Sequence, residues 1–127
     1  MEITYGKIIE SYPVFNKIGD MEFQNGEIAL QLAFLIAEIN KYYHEYSTLE
    51  MKIVEEHCEK WDNGAPRRDE RGNFRLLEGH KEEADKAMAA LVNTTVTIDD
   101  HFFINKEWLK DMKLTPIEAF ALQSFIR

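Results

Sequence analysis

Between Glu27 and Trp61 the chain contains neither proline nor glycine, and apolar or aromatic residues recur at Leu32, Ile36, Ile39, Tyr43, Tyr46, Leu49 and Ile53. Steps of three and four keep these positions along one side of a helix. The pattern therefore predicts one long helix, on the order of 50 Å from end to end at helical rise. Its first half, "IALQLAFLIAEI", is apolar almost all round and predicts burial on several sides. Its second half, "NKYYHEYSTLEMKIVEEHCEK", is amphipathic and predicts one face in water.

The flanks divide into shorter elements. "WDNGAPRR" stops the long helix, because Asn63-Gly64 and Pro66 both oppose its continuation. Gly72-Asn73 is a second turn signal, so a small β-hairpin or an ordered loop is expected there. A further helix is expected from about Leu76 to Val92, with Leu77, Ala84, Met88 and Leu91 on one face. Ala87, Ala89 and Ala90 would let a neighbour approach closely. Two helices around one compact connection predict an antiparallel helical hairpin, a coiled-coil-like arm. The second helix is about half as long as the first and covers only its distal part. The apolar proximal half then needs cover from the N-terminal segment, from "TTVTIDDHFFINKEWL" and from the closing helix.

Each of those covering segments carries a local signal. "MEITYGKII" predicts a short strand and a turn at Gly6, and "IIESYPVFNKIGDM" a short helix beginning near Pro13. Asn25 is placed to cap the long helix. Thr95 to Ile98 alternates β-branched residues and predicts a strand pairing with "EITY". Thr115 and Glu118 form a T-x-x-E capping box with Pro116 at the first helical position. The helix they open carries Ile117, Phe120, Ala121, Leu122, Phe125 and Ile126, and is expected to seal the compact end of the molecule. The expected fold is mainly α with a small β element (α+β). It forms a single domain over residues 1–127, with a head from 1–40 and 93–127 and a helical-hairpin arm from 41–92.

Composition narrows the function classes. At 127 residues, 45% hydrophobic and 30% charged, the chain has the make-up of one globular domain. One cysteine, Cys58, excludes an internal disulfide and fits a reducing compartment. No secretory leader pattern is expected at the start, and no stretch is long and apolar enough to predict a membrane span. The net charge of −8 opposes general nucleic-acid binding. Positive charge is nevertheless focused: Arg67, Arg68, Arg71 and Arg75 give residues 62–76 a net of +1, leaving −9 on the remainder.

Candidates for chemistry are thin. His57 and Cys58 are neighbours that project about 100° apart on a helix and do not share an ion, so His57 is expected on the solvent side and Cys58 as a small packed residue. No H-E-x-x-H or C-x-x-C occurs. Glu55 and Glu59, with Glu78 and Glu82, have the spacing of a carboxylate cluster across a hairpin, yet the Glu-x-x-His pairs of di-metal bundles are missing. They are expected to be a solvated face with Lys60, Lys81 and Lys86 as partners. Ser11, Ser47 and Ser124 lack a nucleophile elbow, and no phosphate-binding glycine loop is present. Asp99, Asp100 and His101 are expected to form a turn after a strand. No metal, cofactor or catalytic residue is expected.

The arginine connection is the best binding candidate, since guanidinium forks recognise carboxylates and phosphates. Asp69 and Glu70 within it also allow an ordinary solvated loop. Tyr42, Tyr43 and Tyr46 are the second candidate, because tyrosine joins apolar area to a polar tip at interfaces. Internal packing is the other account of them.

Taken in order, "ITYGKIIESYPVFNKI", the long helix, "RGNFRL", "LVNTTVTID" and "LTPIEAFALQSFI" resemble a family of small proteins from tailed phages of Gram-positive bacteria, domain of unknown function 1617. The likeness covers most of the chain and consists of layout and apolar pattern. It implies a phage origin and a non-enzymatic role, and carries over no catalytic residue. The expected function is a protein-interaction module, most simply a virion structural or assembly accessory protein, present in the host-cell cytoplasm or the virion. An inhibitor of a host defence system, acting by protein binding or nucleic-acid mimicry, is the alternative. An enzyme or metal-binding protein with a site on the acidic hairpin is the least favoured. A partly uncovered apolar seam predicts a homodimer, with protein partners and no direct nucleic-acid or membrane binding.

Overall fold

A computed structural model describes residues 1–127, and the chain is mainly helical with one two-stranded antiparallel sheet. In order, strand β1 (Glu2–Thr4) leads into helix α1 (Tyr5–Gly19), followed by the 32-residue α2 (Gly26–His57), α3 (Lys81–Val92), β2 (Thr95–Thr97) and α4 (Pro116–Ala121). Short 3-10 helices occupy Lys106–Asp111 and Gln123–Phe125. No helix is long and apolar enough to cross a membrane. The residues fall into two compact units, one of Met1–His44 with Thr95–Arg127 and one of Glu45–Thr94.

In the first unit the strands pair as expected, Ile3 opposite Val96 and Thr4 opposite Thr95. The segment after β1 departs from expectation. Gly6 is not a turn and the helix does not wait for Pro13: α1 starts at Tyr5, with the Thr4 hydroxyl accepting the Lys7 N–H at 3.2 Å as its cap. Ile8, Ser11, Phe15 and Ile18 recur at steps of three, four and three, and all are buried. That stripe outweighs the roughly 3 kcal/mol a mid-helix proline costs. Pro13 itself is exposed, off the buried stripe.

The core of this unit joins α1 to Leu32, Leu35 and Ile39 of α2, Ile98, Ile104, Met112, Leu122 and Phe125. Phe15 and Phe125 meet edge to face with ring centroids 5.1 Å apart, and each ring buried this fully contributes roughly 1.5–3 kcal/mol. Asn25 caps α2 as expected, its side-chain oxygen accepting from the Glu27 N–H at 2.9 Å. The apolar first half of α2 is not covered on several sides, however: Leu30 and Phe34 are about half exposed, at 57% and 51%. An all-apolar run does not encode which side faces the core, and here Leu35, at 0% exposure, takes the central place.

The closing helix keeps its expected start. Thr115 and Glu118 exchange both capping-box bonds, and Pro116 opens the helix. It is only six residues long, and it seals the core through Leu122 and Phe125, which follow it, while Ile117 and Phe120 face outward. After Phe125 the chain pairs in parallel with the stretch around Ile104, whose N–H donates to the Phe125 carbonyl at 2.8 Å.

The second unit holds the distal part of α2, a tight meander and α3. The expected turn region is ordered. Lys60 bridges Pro66, Arg68 bridges Phe74 and Cys58 bridges Leu76, so three short segments close on one another. Gly64 and Gly72 occupy positive φ at the two tips, which side chains adopt at a cost. Helix α3 begins at Lys81 instead of Leu76, because residues 76–80 complete the meander through Gly79 at φ +79°. Leu77 consequently lies outside α3 and is 39% exposed, while Ala84 and Leu91 are buried.

Candidate functional site

The four arginines of the meander share one short region and are mostly committed to building it. Arg67 lies over the Trp61 ring at 4.4 Å and Arg68 over Phe74 at 3.9 Å, cation–π contacts that also cover apolar surface. Arg68 additionally donates to the Gly72 carbonyl at 2.7 Å, locking the second turn. Glu59 stands between Arg67 and Arg75, at 3.8 and 3.3 Å from their nitrogens. Neither approach is aligned as a hydrogen bond, so the Glu59 carboxylate acts as a shared counter-charge. Asp69 uses its carboxylate to accept the backbone N–H groups of Arg71 and Asn73, an Asx turn. Arg71 is the exposed arginine at this tip whose guanidinium joins no ion pair or ring.

The tyrosines divide between the two units. In the first, Tyr42 donates its hydroxyl to the Thr97 carbonyl at 2.7 Å. Tyr43 stacks on Tyr12, with ring centroids 3.7 Å apart and planes 3° from parallel. In the second, Tyr46 is buried and donates to a Glu50 carboxylate oxygen. Each ring therefore has an intramolecular partner.

The remaining candidates fall into turns and surface pairs. His101 pairs with Asp99 at 2.6 Å and its backbone N–H also binds that carboxylate. The backbone bond first, then the ring bond, holds Asp99 below the ordinary aspartate range. The same side-chain bond raises His101. Both lie at the surface, so the pair forms a turn with no enclosed space for a substrate. Of the four spaced carboxylates, Glu59 is drawn to the arginines and Glu82 faces Lys86 at 3.7 Å, so these two serve separate partners. Ser11 is buried and donates to the Ile8 carbonyl at 3.1 Å, a structural bond within α1.

His57 is not on the solvent side: its side chain is only 13% exposed. Its Nδ1 lies 3.1 Å from Nδ1 of His80. Glu83, one helical turn beyond His80, completes a group in which one ligand atom from each residue lies within 4.8 Å of the others. Adjacency in the sequence sets His57 beside Cys58, which cannot share an ion with it, whereas the fold brings it to a histidine 23 residues away. Cys58 itself is buried, and that burial pushes its thiol up, with Arg68 opposing weakly. It borders a cleft of about 290 Å³ whose other walls include Ile53, Val54, His57, Phe74 and Met88.

Compared with protein-family models, with curated proteins and with solved structures, the chain matches none of them.

Proposed function

We propose that this chain is a non-enzymatic protein-interaction module of a tailed phage, acting as a structural or assembly accessory of the virion in the infected host cell. The observation that carries this reading is the outward face of α4. Ile117 is 83% exposed and Phe120 64% exposed. They stand on a helix fixed at its start by a full capping box and by an ion pair from Lys17. Large apolar side chains held rigidly in water do nothing for this unit's own stability, and such surface is characteristic of a contact site. Arg71, at the tip of the meander, supplies a charged contact in the second unit. The distal part of α2 and α3 act as an antiparallel hairpin presenting that tip, and the apolar α4 face supports a homodimer.

A second reading, inhibition of a host defence protein, is favoured by the charge. The net −8 leaves −9 outside residues 62–76, and Glu82, Glu83 and Asp85 are exposed along α3. A surface of that sign competes for basic nucleic-acid grooves.

The deciding experiment is affinity purification of the tagged chain from infected cells, beside an Ile117→Asp/Phe120→Asp variant. Capsid or tail proteins recovered with the first and lost with the second support the virion role. A host nuclease or defence effector recovered instead supports inhibition. Turnover of a small compound, abolished by one polar substitution, overturns both.

A further inference from the structure

We infer that His57, His80 and Glu83 form a divalent transition-metal site that clips the last residue of α2 to the first turn of α3. The inference is independent of the partner reading above, since it concerns other residues and needs no partner.

The backbone brings the ligands together before any ion is involved. The Leu77 N–H donates to the His57 carbonyl at 2.8 Å, and the His80 N–H donates to the Leu77 carbonyl at 3.0 Å. Two hydrogen bonds thus fix the His80 backbone to the end of α2, with Gly79 supplying the left-handed turn between Leu77 and His80. His80 precedes Lys81, the first residue of α3, so Glu83 lies three residues on along the same face. A site on pinned backbone holds its geometry better than one on a free loop.

The spacing suits an ion. Two nitrogens each bound to a tetrahedral zinc lie about 3.3–3.4 Å apart, and the two Nδ1 atoms stand at 3.1 Å. The rings are 65° from parallel with centroids 5.3 Å apart, so the nitrogen edges converge and the faces do not stack. An N–H···N hydrogen bond would use these two rings alone and leave Glu83 without a part in the group. Two imidazoles and a carboxylate are a borderline-soft set that suits zinc over magnesium or calcium, with a fourth position left to water. On His57 the other ring nitrogen, Nε2, faces the Glu56 carboxylate at 4.0 Å, the side from which a second carboxylate commonly supports a metal-bound histidine.

The test uses the full chain stripped with chelator and titrated with Zn²⁺ alone by calorimetry, then with Co²⁺ alone for visible d–d absorption. One saturable equivalent, micromolar or tighter, is expected, with tetrahedral-type cobalt bands and a rise in melting temperature on zinc addition. His80→Gln and the exposed Glu83→Gln should each weaken binding at least about tenfold. Nitrogen NMR of the wild-type rings gives a readout that no variant's folding affects: zinc should shift the ring nitrogens of His57 and His80. Absence of a saturable equivalent, equal affinity in both variants, or zinc-dependent shifts at His44 or His101 instead would overturn the assignment.

Discussion

The Lys17 ammonium lies 2.7 Å from Oε1 of Glu118, the same oxygen that accepts the Thr115 backbone N–H at 2.9 Å. One carboxylate therefore closes the capping box of α4 and ties that helix to the last turn of α1. Its pKa is held below the ordinary glutamate range, first by the Lys17 hydrogen bond and then by the Thr115 N–H.

Because the folded carboxylate is the stronger acid, its contribution is fully present above the unfolded glutamate pKa. It is lost as pH falls through the lower folded value. Glu118→Gln should therefore be less stable than wild type at neutral pH and should converge with it in acid. Urea midpoints of the two proteins across that range check the sign; a gap that widened on acidification would refute it.

Thr115→Ala removes the other half of the box and should cost about 1 kcal/mol. Thr115→Ser should restore most of that, since the hydroxyl is the acceptor for the Glu118 N–H. Chemical denaturation of both variants measures the difference.

Phe15→Ala or Phe125→Ala should cost about 3–5 kcal/mol, because both rings are nearly inaccessible and pack edge to face in the first core. The two losses should not add when combined, since the residues are in contact. A double-mutant cycle in urea reads the coupling.

Gly72→Ala addresses the meander. A Cβ there would meet nothing within 4 Å, but φ is +82°, so the cost is conformational, about 1–2 kcal/mol. The loss should be confined to the second unit, seen as faster amide exchange at Asp69 and Asn73 with the β1–β2 amides unchanged.

His101 should titrate above the ordinary histidine value, and Asp99→Asn should bring it back down. The sign is opposite to that of Glu118. A raised folded pKa gives stabilisation that is present below the unfolded value and lost as pH rises through the folded one. Proton NMR titration of the ring reads this directly.

What was legible in the chain depended on how local each signal was. The α4 capping box, the Asn25 cap and the β1–β2 pairing are each written within a few residues, and all three stand where the sequence put them. The start of α1 was obscured by Pro13, a strong helix-start signal overridden by the Ile8–Phe15–Ile18 stripe packing on the core. Gly79 delayed α3 by completing a turn whose partner strand lies before the meander, at Cys58. The His57–His80 contact and the Ile104–Ile126 pairing have no local spacing to betray them, since each is produced by the path of the intervening chain. The arginines stood out by composition. Their engagement with Trp61, Phe74 and Glu59 depends on how the meander folds back.

Cys58 gives the second unit a clock of its own. It is the lone thiol of the chain and is 3% exposed beneath the meander. With its sulfur almost wholly shielded, the rate at which a sulfhydryl reagent modifies it should follow how often the second unit loosens around it.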